Sequence, residues 1–418
     1  MNLVSRSTPV RMRSAADVTS RRPKPVLMGL ATAAGLLAGA AADAVFADPR
    51  RGHPVALFGR AASAIEGRLY ADSRPRGVLF TTVCVGGATA IGAAAHLLTR
   101  RRPAARAAVT AAATWAVLGG TTLGREGAYL GAVLERGDVA AARARLPHLC
   151  GRDPSRLDED ELARATVESI AENTSDAVVA PLLWGAVAGV PGLLGYRAIN
   201  TLDAMVGHRS PRYERFGWAS ARLDDAANLL PARLTAALTV LAAPIAGGSP
   251  RRALAVLRRD GHRHPSPNAG RCEAAFAGAL GVRLGGANDY GGRVEHRPHL
   301  GDGDGPRVPD ISRSVRLARA VGRRPDHDRA RPGHSARSVA AVPGHRRSRF
   351  RAQGAARRRA GLVRQDRRVW AARYAWSPGP STAHRIVRRR DTERRPSAVG
   401  GRCPVSWHRT SSVVPRTG

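Results

Sequence analysis

Apolar and polar residues do not alternate evenly along this chain. Five stretches are almost free of charge: Pro25 to about Ala42, Val78–Thr99, Ala104 to about Leu123, Ala177–Tyr196 and Leu230–Ile245. Each approaches the length of about 20 residues that lets a helix cross hydrocarbon. The pattern predicts an all-α, polytopic integral membrane protein with helical loops outside the bilayer. The spans are rich in Ala and Gly, which lets helix backbones approach closely. The fourth stretch is different, because Pro181, Gly185, Gly189, Pro191, Gly192 and Gly195 interrupt it. Irregular backbone survives at membrane depth only against protein or a cavity, so this segment reads as a broken or re-entrant helix.

Between the spans lie polar segments. Residues 1–24 form a basic N-terminal segment, which resembles a signal peptide in outline but is better read as flanking a first span on the positive-inside rule. Residues 48–60 form a loop punctuated by Pro and Gly, with Arg50, Arg51 and His53. Residues 124–176 read as amphipathic helix, with Asp158 and Glu161 spaced as a capping box. If that helix continues, Glu168, Glu172 and Asp176 fall within about 80° of one another on one face.

Charge then divides the chain in two. The 418 residues carry a formal charge of +35, and residues 322–418 contain 25 Arg against 5 acidic residues, so the tail holds more than half of the excess. Residues 25–321 therefore form the membrane domain and 322–418 a separate Arg-rich tail. Lys24 is the only lysine. A Walker A loop is excluded, and phosphates must be met by Arg forks, backbone amides or metal. Cys84, Cys150, Cys272 and Cys403 are scattered without zinc-ligand or disulfide spacing, so a reducing compartment is the default.

In so basic a protein, clustered acid stands out. Glu168, Glu172 and Asp176 precede the broken apolar stretch, and Arg197, Asn200 and Asp203 follow it. Further on, Arg222, Asp225 and Asn228 recur at three-residue spacing, with Asp224 four before Asn228 and Arg233 beyond. Mg²⁺ needs only one or two carboxylates besides waters and substrate phosphates, so these segments can hold a cation that holds a phosphorylated substrate. A solvated helix face, membrane-boundary anchors and helix caps are the alternative readings. Residues 266–270, Ser-Pro-Asn-Ala-Gly, form a turn before a helix in which Ser266 or Asn268 can cap and present backbone N–H groups to an anion. The glycines after Leu284 are a further backbone-exposing element.

In this order, DPRRGHPV, ESIAENTSDAVVAPLLW, YRAINTLDAMVGHRSPRYERFG, ARLDDAANLLPARLTA and the SPNAG-to-LGG segment resemble the CobD/CbiB family, the integral-membrane adenosylcobinamide-phosphate synthases of cobalamin biosynthesis. The resemblance covers about residues 25–321. It implies an ATP-dependent amide ligation joining a carboxylate of adenosylcobyric acid to the amine of (R)-1-amino-2-propanol or its O-phosphate, with ATP and Mg²⁺ as cofactors. It implies corrinoid and amino-alcohol substrates, membrane lipid and other corrinoid-pathway enzymes as partners, and a multi-pass place in the cell membrane. On that reading Glu168, Glu172 and Arg222 are catalytic. Arg197, Asn200, Asn228, Arg233, Ser266 and Asn268 bind substrate or ATP, and Asp176, Asp203, Asp224 and Asp225 hold metal.

Two features depart from the family pattern. His208 follows Gly207 where Tyr is usual, and after Val321 the expected last apolar span is replaced by Arg-, Pro- and Gly-rich sequence. That tail reads as a disordered basic arm or, preferred because it lacks Lys, as the product of a shifted reading frame that would impair the enzyme. Two other classes remain as alternatives, a small-molecule transporter or membrane scaffold and, from the tail alone, a nucleic-acid binder; no specific nucleic acid is expected. Five full crossings would put the two acidic segments on opposite faces. A re-entrant 177–196 removes that conflict, and a partly embedded Leu230–Ile245 keeps SPNAG on the same side.

Overall fold

A computed structural model describes residues 25–48, 53–208, 210–289 and 294–322. The basic N-terminal segment and the Arg-rich tail beyond Gly322, with both readings of it, lie outside the described residues.

The first apolar stretches form long helices. α1 (Pro25–Phe46) is followed by a shorter α2 (Pro54–Leu69), then α3 (Arg74–Leu98) and α4 (Pro103–Val117). α1 and α4 run parallel, with Gly35 against Ala107 and Thr110 and Gly39 against Ala111 and Thr114; a Cβ on either glycine would come within 2.6 Å of its neighbours. This is a GxxxG contact, in which absent side chains let two backbones meet. The parallel pair requires α3 to run the other way between them. Their outward faces carry exposed Leu27, Leu30, Leu37, Val83, Ile91 and Leu97, the surface a lipid-facing helix presents.

The third apolar stretch stops earlier than the hydropathy suggests. Leu118 and Gly119 separate α4 from α5 (Gly120–Leu134), and the Gly119 N–H is spent on the Ala177 carbonyl at 3.0 Å. After α6 (Val139–Arg145), α7 (Glu159–Thr174) starts with the expected capping box: Asp158 Oδ1 accepts from the Glu161 N–H at 2.8 Å, and Glu161 Oε2 from the Asp158 N–H at 3.0 Å. α7 buries Leu162, Val167 and Ile170.

The broken stretch is a hairpin. A π-turn over Ser175–Val179 leads into α8 (Ala180–Leu202), whose regular dihedrals fail at Gly189, φ 64° and ψ −144°. Its two limbs pack side by side: Gly192 abuts the Trp184 carbonyl, and Gly185 abuts Leu193. The tip rests beside His96, near the end of α3. A second π-turn, Asp203–Gly207, closes the return limb.

The remaining chain builds a unit at the hairpin's open end. It comprises α9 (Trp218–Ala227), α10 (Leu229–Ala242), α11 (Pro250–Asp260), α12 (Ala269–Leu280), buried at every residue but Arg271, strands β1 (Leu284–Asp289) and β2 (Val294–Leu300), and α13 (Val308–Val321). The antiparallel β1–β2 pair is not part of an all-α reading. A short, Gly-rich strand carries no hydrophobic period of its own, so nothing in the pattern announces it. Leu123, Leu130, Ile170, Phe276, Ile311 and Val315 share this unit's core. Among the described residues, five helical stretches can cross a membrane by length and composition, 25–46, 74–98, 103–134, 159–207 and 229–246. The protein is therefore a helical, multi-pass membrane protein.

Candidate functional site

The hairpin decides what the acidic segments can do together. Asp176 and Asn200 are 24 residues apart, about 36 Å along a straight helix. Instead the Asn200 Nδ2 donates to Asp176 Oδ2 at 3.3 Å. The chain enters and leaves on one side, and both acidic segments stand at the same mouth.

From the other direction, α9 brings Asp224 and Asp225. The same Asn200 nitrogen reaches Asp224 Oδ1 at 3.5 Å, and Asn228 Nδ2 donates to Asp224 Oδ2 at 3.0 Å. Asn228 Oδ1 in turn accepts from the Tyr196 hydroxyl at 2.9 Å, while Trp184 Nε1 donates to the Ala227 carbonyl at 3.0 Å. One residue from each hairpin limb thus fixes the α9–α10 junction. Neither Asp224 nor Asp225 caps a helix; both face a polar cleft with Glu172, Ser175, Asp176, Asn228, Ser266, Asn268 and Cys272.

α10 leads away from this cleft, and α11 with the following loop leads back. Asn268 Nδ2 donates to the Asp225 carbonyl at 2.8 Å, so the SPNAG turn is on the acidic segments' side. The turn does not offer its first amides to a ligand, however. Ser266 Oγ accepts from the Asn268 and Ala269 N–H groups at 3.3 and 3.2 Å, and the Ser266 N–H is given to His264 Nδ1 at 3.0 Å. What it does present is Asn268 Oδ1, a buried acceptor without a hydrogen-bond partner. The LGG backbone is likewise used internally: the Gly285 N–H donates to Glu168 Oε1 at 2.7 Å, and Arg164 donates to the Gly285 and Ala287 carbonyls.

Several expected residues are placed elsewhere. Glu168 is buried, with one oxygen on Gly285 and the other paired with buried Arg152, so it ties α7 to β1 instead of sharing the cleft with Glu172. Asp203 folds over its own π-turn, where a Cβ on Gly207 would lie 1.9 Å from its Oδ1, and it does not line the cleft. Arg197 is buried behind the cleft and donates to Asn200 Oδ1 at 3.2 Å. Arg222 is exposed at the rim, 3.8 Å from Asp225. Arg233 points out and donates to the Leu229 carbonyl at 2.6 Å. Tyr196, Ser175 and Cys272 were not anticipated as site residues, although each lies inside a segment already singled out, Cys272 in the one from SPNAG to LGG.

Electrostatics follow from this geometry. Burial raises the Asp224 carboxyl to about 6 against the pull of the Asn228 and Asn200 hydrogen bonds, with Asp225 and Glu172 adding repulsion. Burial also raises Asp225, and the Arg222 charge partly offsets it. Among the described residues no group of three or more His, Cys, Asp or Glu side chains is gathered closely enough to hold a metal on its own. Asp176 and Asp224, flanking one amide nitrogen, do fit Mg²⁺, which takes few carboxylates and keeps waters and phosphate oxygens.

Comparison with known proteins bears on the family of the chain. The chain matches the profile of the family described as CobD/Cbib protein over residues 36–318. It is 57% identical to the cobalamin biosynthesis protein CobD of Mycobacterium tuberculosis strain H37Rv, over 69% of this chain and 92% of that protein. It is 46% identical to the CobD proteins of Rhodobacter capsulatus, over 65% and 86% of the two chains, and of Geobacter metallireducens, over 62% and 83%. No solved structure matches. With two-thirds of its length under the family profile and a relative of this identity nearly fully covered, the chain belongs to the CobD/CbiB family of cobalamin biosynthesis proteins.

Proposed function

We propose that this protein is the ATP-dependent ligase that joins adenosylcobyric acid to (R)-1-amino-2-propanol or its O-phosphate, giving adenosylcobinamide or its phosphate. The observation that carries this reading is the fold-back at Gly189, which gathers Glu172, Asp176, Asp224 and Asp225 into one cleft beside the SPNAG turn. A carboxylate is a poor electrophile, so ATP activates it as an acyl phosphate or acyl adenylate, and the amine must lose a proton before it attacks.

Asp176 and Asp224 would hold Mg²⁺, with Asp225 at its edge. The ion supplies charge neutralisation of the phosphates and polarisation of the transferred group. Asn200 and Asn228 hold those carboxylates apart and oriented. Glu172, exposed on the cleft wall, takes the ammonium proton. Arg222 at the rim can fork onto phosphate oxygens. Glu168 keeps the wall in place through Arg152 and Gly285, and Asn268 Oδ1 accepts a hydrogen bond from the substrate or its waters.

The test is the purified protein in lipid, supplied with adenosylcobyric acid, the amino alcohol or its phosphate, ATP and Mg²⁺. The expected result is an amide product formed only with ATP, and abolished by Asp176→Asn with Asp224→Asn. Movement of a corrinoid across the bilayer without ligation would overturn it in favour of a transporter.

A further inference from the structure

Two polar atoms on the wall of the cleft have no use in the fold. Ser175 opens the first π-turn and is 2% exposed, and its Oγ has no hydrogen-bond partner. Hydroxyls elsewhere on the same helices behave differently: Thr166, Thr174 and Thr201 each donate to the carbonyl four residues back, at 2.7 Å. Asn268, 7% exposed, carries the second atom. The Asp225 carbonyl can only accept, so it fixes Asn268 Nδ2 towards itself and turns Oδ1 the other way, where it has no partner. Both residues line the cleft, and α12 relates them to one wall. Asn268 precedes α12, and Cys272 lies one turn further along, its N–H on the Asn268 carbonyl at 3.5 Å and its thiol beside the Ser175 hydroxyl. That thiol is a poor partner. Sulfur hydrogen-bonds weakly, its hydrogen is directed at the Ala232 carbonyl 3.8 Å away, and burial keeps it protonated by raising it well above the usual thiol range.

The rest of the lining sets the character of the group these atoms await. Glu172, Asp176, Asp224 and Asp225 bring negative charge, Ala232 and Ala269 bring apolar carbon, and among the described residues lining the cleft none is Arg, Lys or His. An anion meets only repulsion on this wall. A primary ammonium suits it, with three N–H donors for oxygens and a fourth bond that continues as carbon. We infer that Ser175 Oγ, Asn268 Oδ1 and the Glu172 carboxylate form a subsite for the primary ammonium of an alkylamine, whose first carbon rests on Ala232 and Ala269. This deepens the ligase reading and rests on it for which amine is meant. It adds the atoms that select a primary amine over an alcohol, which lacks the charge, and over a quaternary ammonium, which lacks the N–H groups. A potassium ion offers the same charge to the same oxygens, and the experiment separates the two sources.

Two substitutions test the subsite without disturbing the fold. Ser175→Ala removes a hydroxyl that has no hydrogen-bond partner, and Glu172→Gln removes the charge of an exposed side chain. The full chain in nanodiscs is titrated calorimetrically with 1-amino-2-propanol, its N,N,N-trimethyl derivative, propane-1,2-diol, KCl and MnCl₂, each separately and without ATP or corrinoid. Loss of one hydrogen bond to a charged group weakens binding about tenfold. The unsubstituted protein is expected to bind the primary amine about tenfold or more tightly than the quaternary compound or the diol. Ser175→Ala should lose about tenfold for the primary amine alone, at an unchanged melting midpoint, and Glu172→Gln should lose at least as much. Equal loss for amine and diol would assign Ser175 to alcohol recognition, loss for KCl alone to a metal ion, and loss for MnCl₂ alone to a water on a divalent ion. Each of these overturns the proposal, as does equal binding of the primary and quaternary amines or no amine binding by the unsubstituted protein. The ligase assay is scored separately. Selective amine binding in a protein that forms no amide keeps the subsite and discards the ligase reading, whereas an active ligase whose KM for the amine is unmoved by Ser175→Ala keeps that reading and discards the subsite.

Discussion

Asn200 is the residue on which the acidic cleft depends, since one amide nitrogen faces both Asp176 and Asp224. Partners that orient a metal's ligands are worth about 10–100-fold in affinity or activity. Asn200→Ala is expected to lose that much ligase activity, while the melting midpoint falls only by what about 1 kcal/mol of lost hydrogen bonding costs. Asp224 makes the same cleft sensitive to pH. With its carboxyl raised to about 6 chiefly by burial, it must release a proton before holding a cation. Mn²⁺ or Mg²⁺ binding should weaken about tenfold for each pH unit below 6, and Asp224→Asn should flatten that profile. Glu168 makes the opposite case. Its oxygens are occupied by Arg152 and Gly285, so Glu168→Gln should act on folding, costing about 3–5 kcal/mol as a broken buried ion pair does, without changing the pH profile of residual activity.

At the scale of elements, two glycines shape the hairpin, and they tolerate a side chain to different degrees. Gly189 adopts φ 64° and ψ −144°, a conformation costing a side-chain-bearing residue about 1–3 kcal/mol, and its Cβ would press on the His96 ring at 3.2 Å. Gly192 has no room at all, with the Trp184 carbonyl oxygen 2.1 Å from where a Cβ would be. Gly189→Ala should lower thermal stability moderately, and Gly192→Val should prevent closure of the limbs. Cysteines introduced at 176 and 200 report the difference: a short crosslinker should join them in the parent and in Gly189→Ala, and fail in Gly192→Val. The π-turns at both feet of the hairpin have a related function. Each inserts an extra residue into the helical ladder, the first where Asp176 turns towards the cleft and the second where Asp203 folds back over its own turn, a distortion often found at functional sites.

For the whole molecule, the parallel α1–α4 pair, the opposed α3 and the returning hairpin put the ends of α1 and α4 on the same face as the cleft. The Arg100–Arg102 link between α3 and α4 lies at the other end. Cysteines at positions 172, 225 and 268 should therefore be labelled by an impermeant reagent from one side of sealed vesicles, and one at position 101 from the other. Labelling of 172 and 225 from different sides would remove the single site. Stability should also fall on acidification. His264 is held down at about 4 from 6.5, by burial and then by the Arg297 charge. The unfolded chain binds that proton first, so stability is lost as pH falls from about 6.5 towards about 4, read as a decreasing melting midpoint.

Membrane helices, the interruption at 177–196, the capping box on α7 and the family itself are all legible in the chain, because hydropathy, proline, glycine and short capping patterns act locally. The candidate carboxylates were legible as a set. Their sorting was not: periodicity places Glu168, Glu172 and Asp176 on one face, but Glu168 turns to Arg152 and a strand more than a hundred residues away, and Asp203 turns back on its own helix. The β-hairpin was invisible for a related reason, since its register comes from pairing and from the Gly285–Gly286 bulge instead of from a pattern. The order of apolar and polar residues alone establishes that this chain enters a membrane and carries acid at the boundary. Only the tertiary fold, by reversing at Gly189 and leading α11 back beside α10, brings residues 172, 176, 200, 224 and 268 to one place, because contacts between distant segments depend on chain reversal and packing.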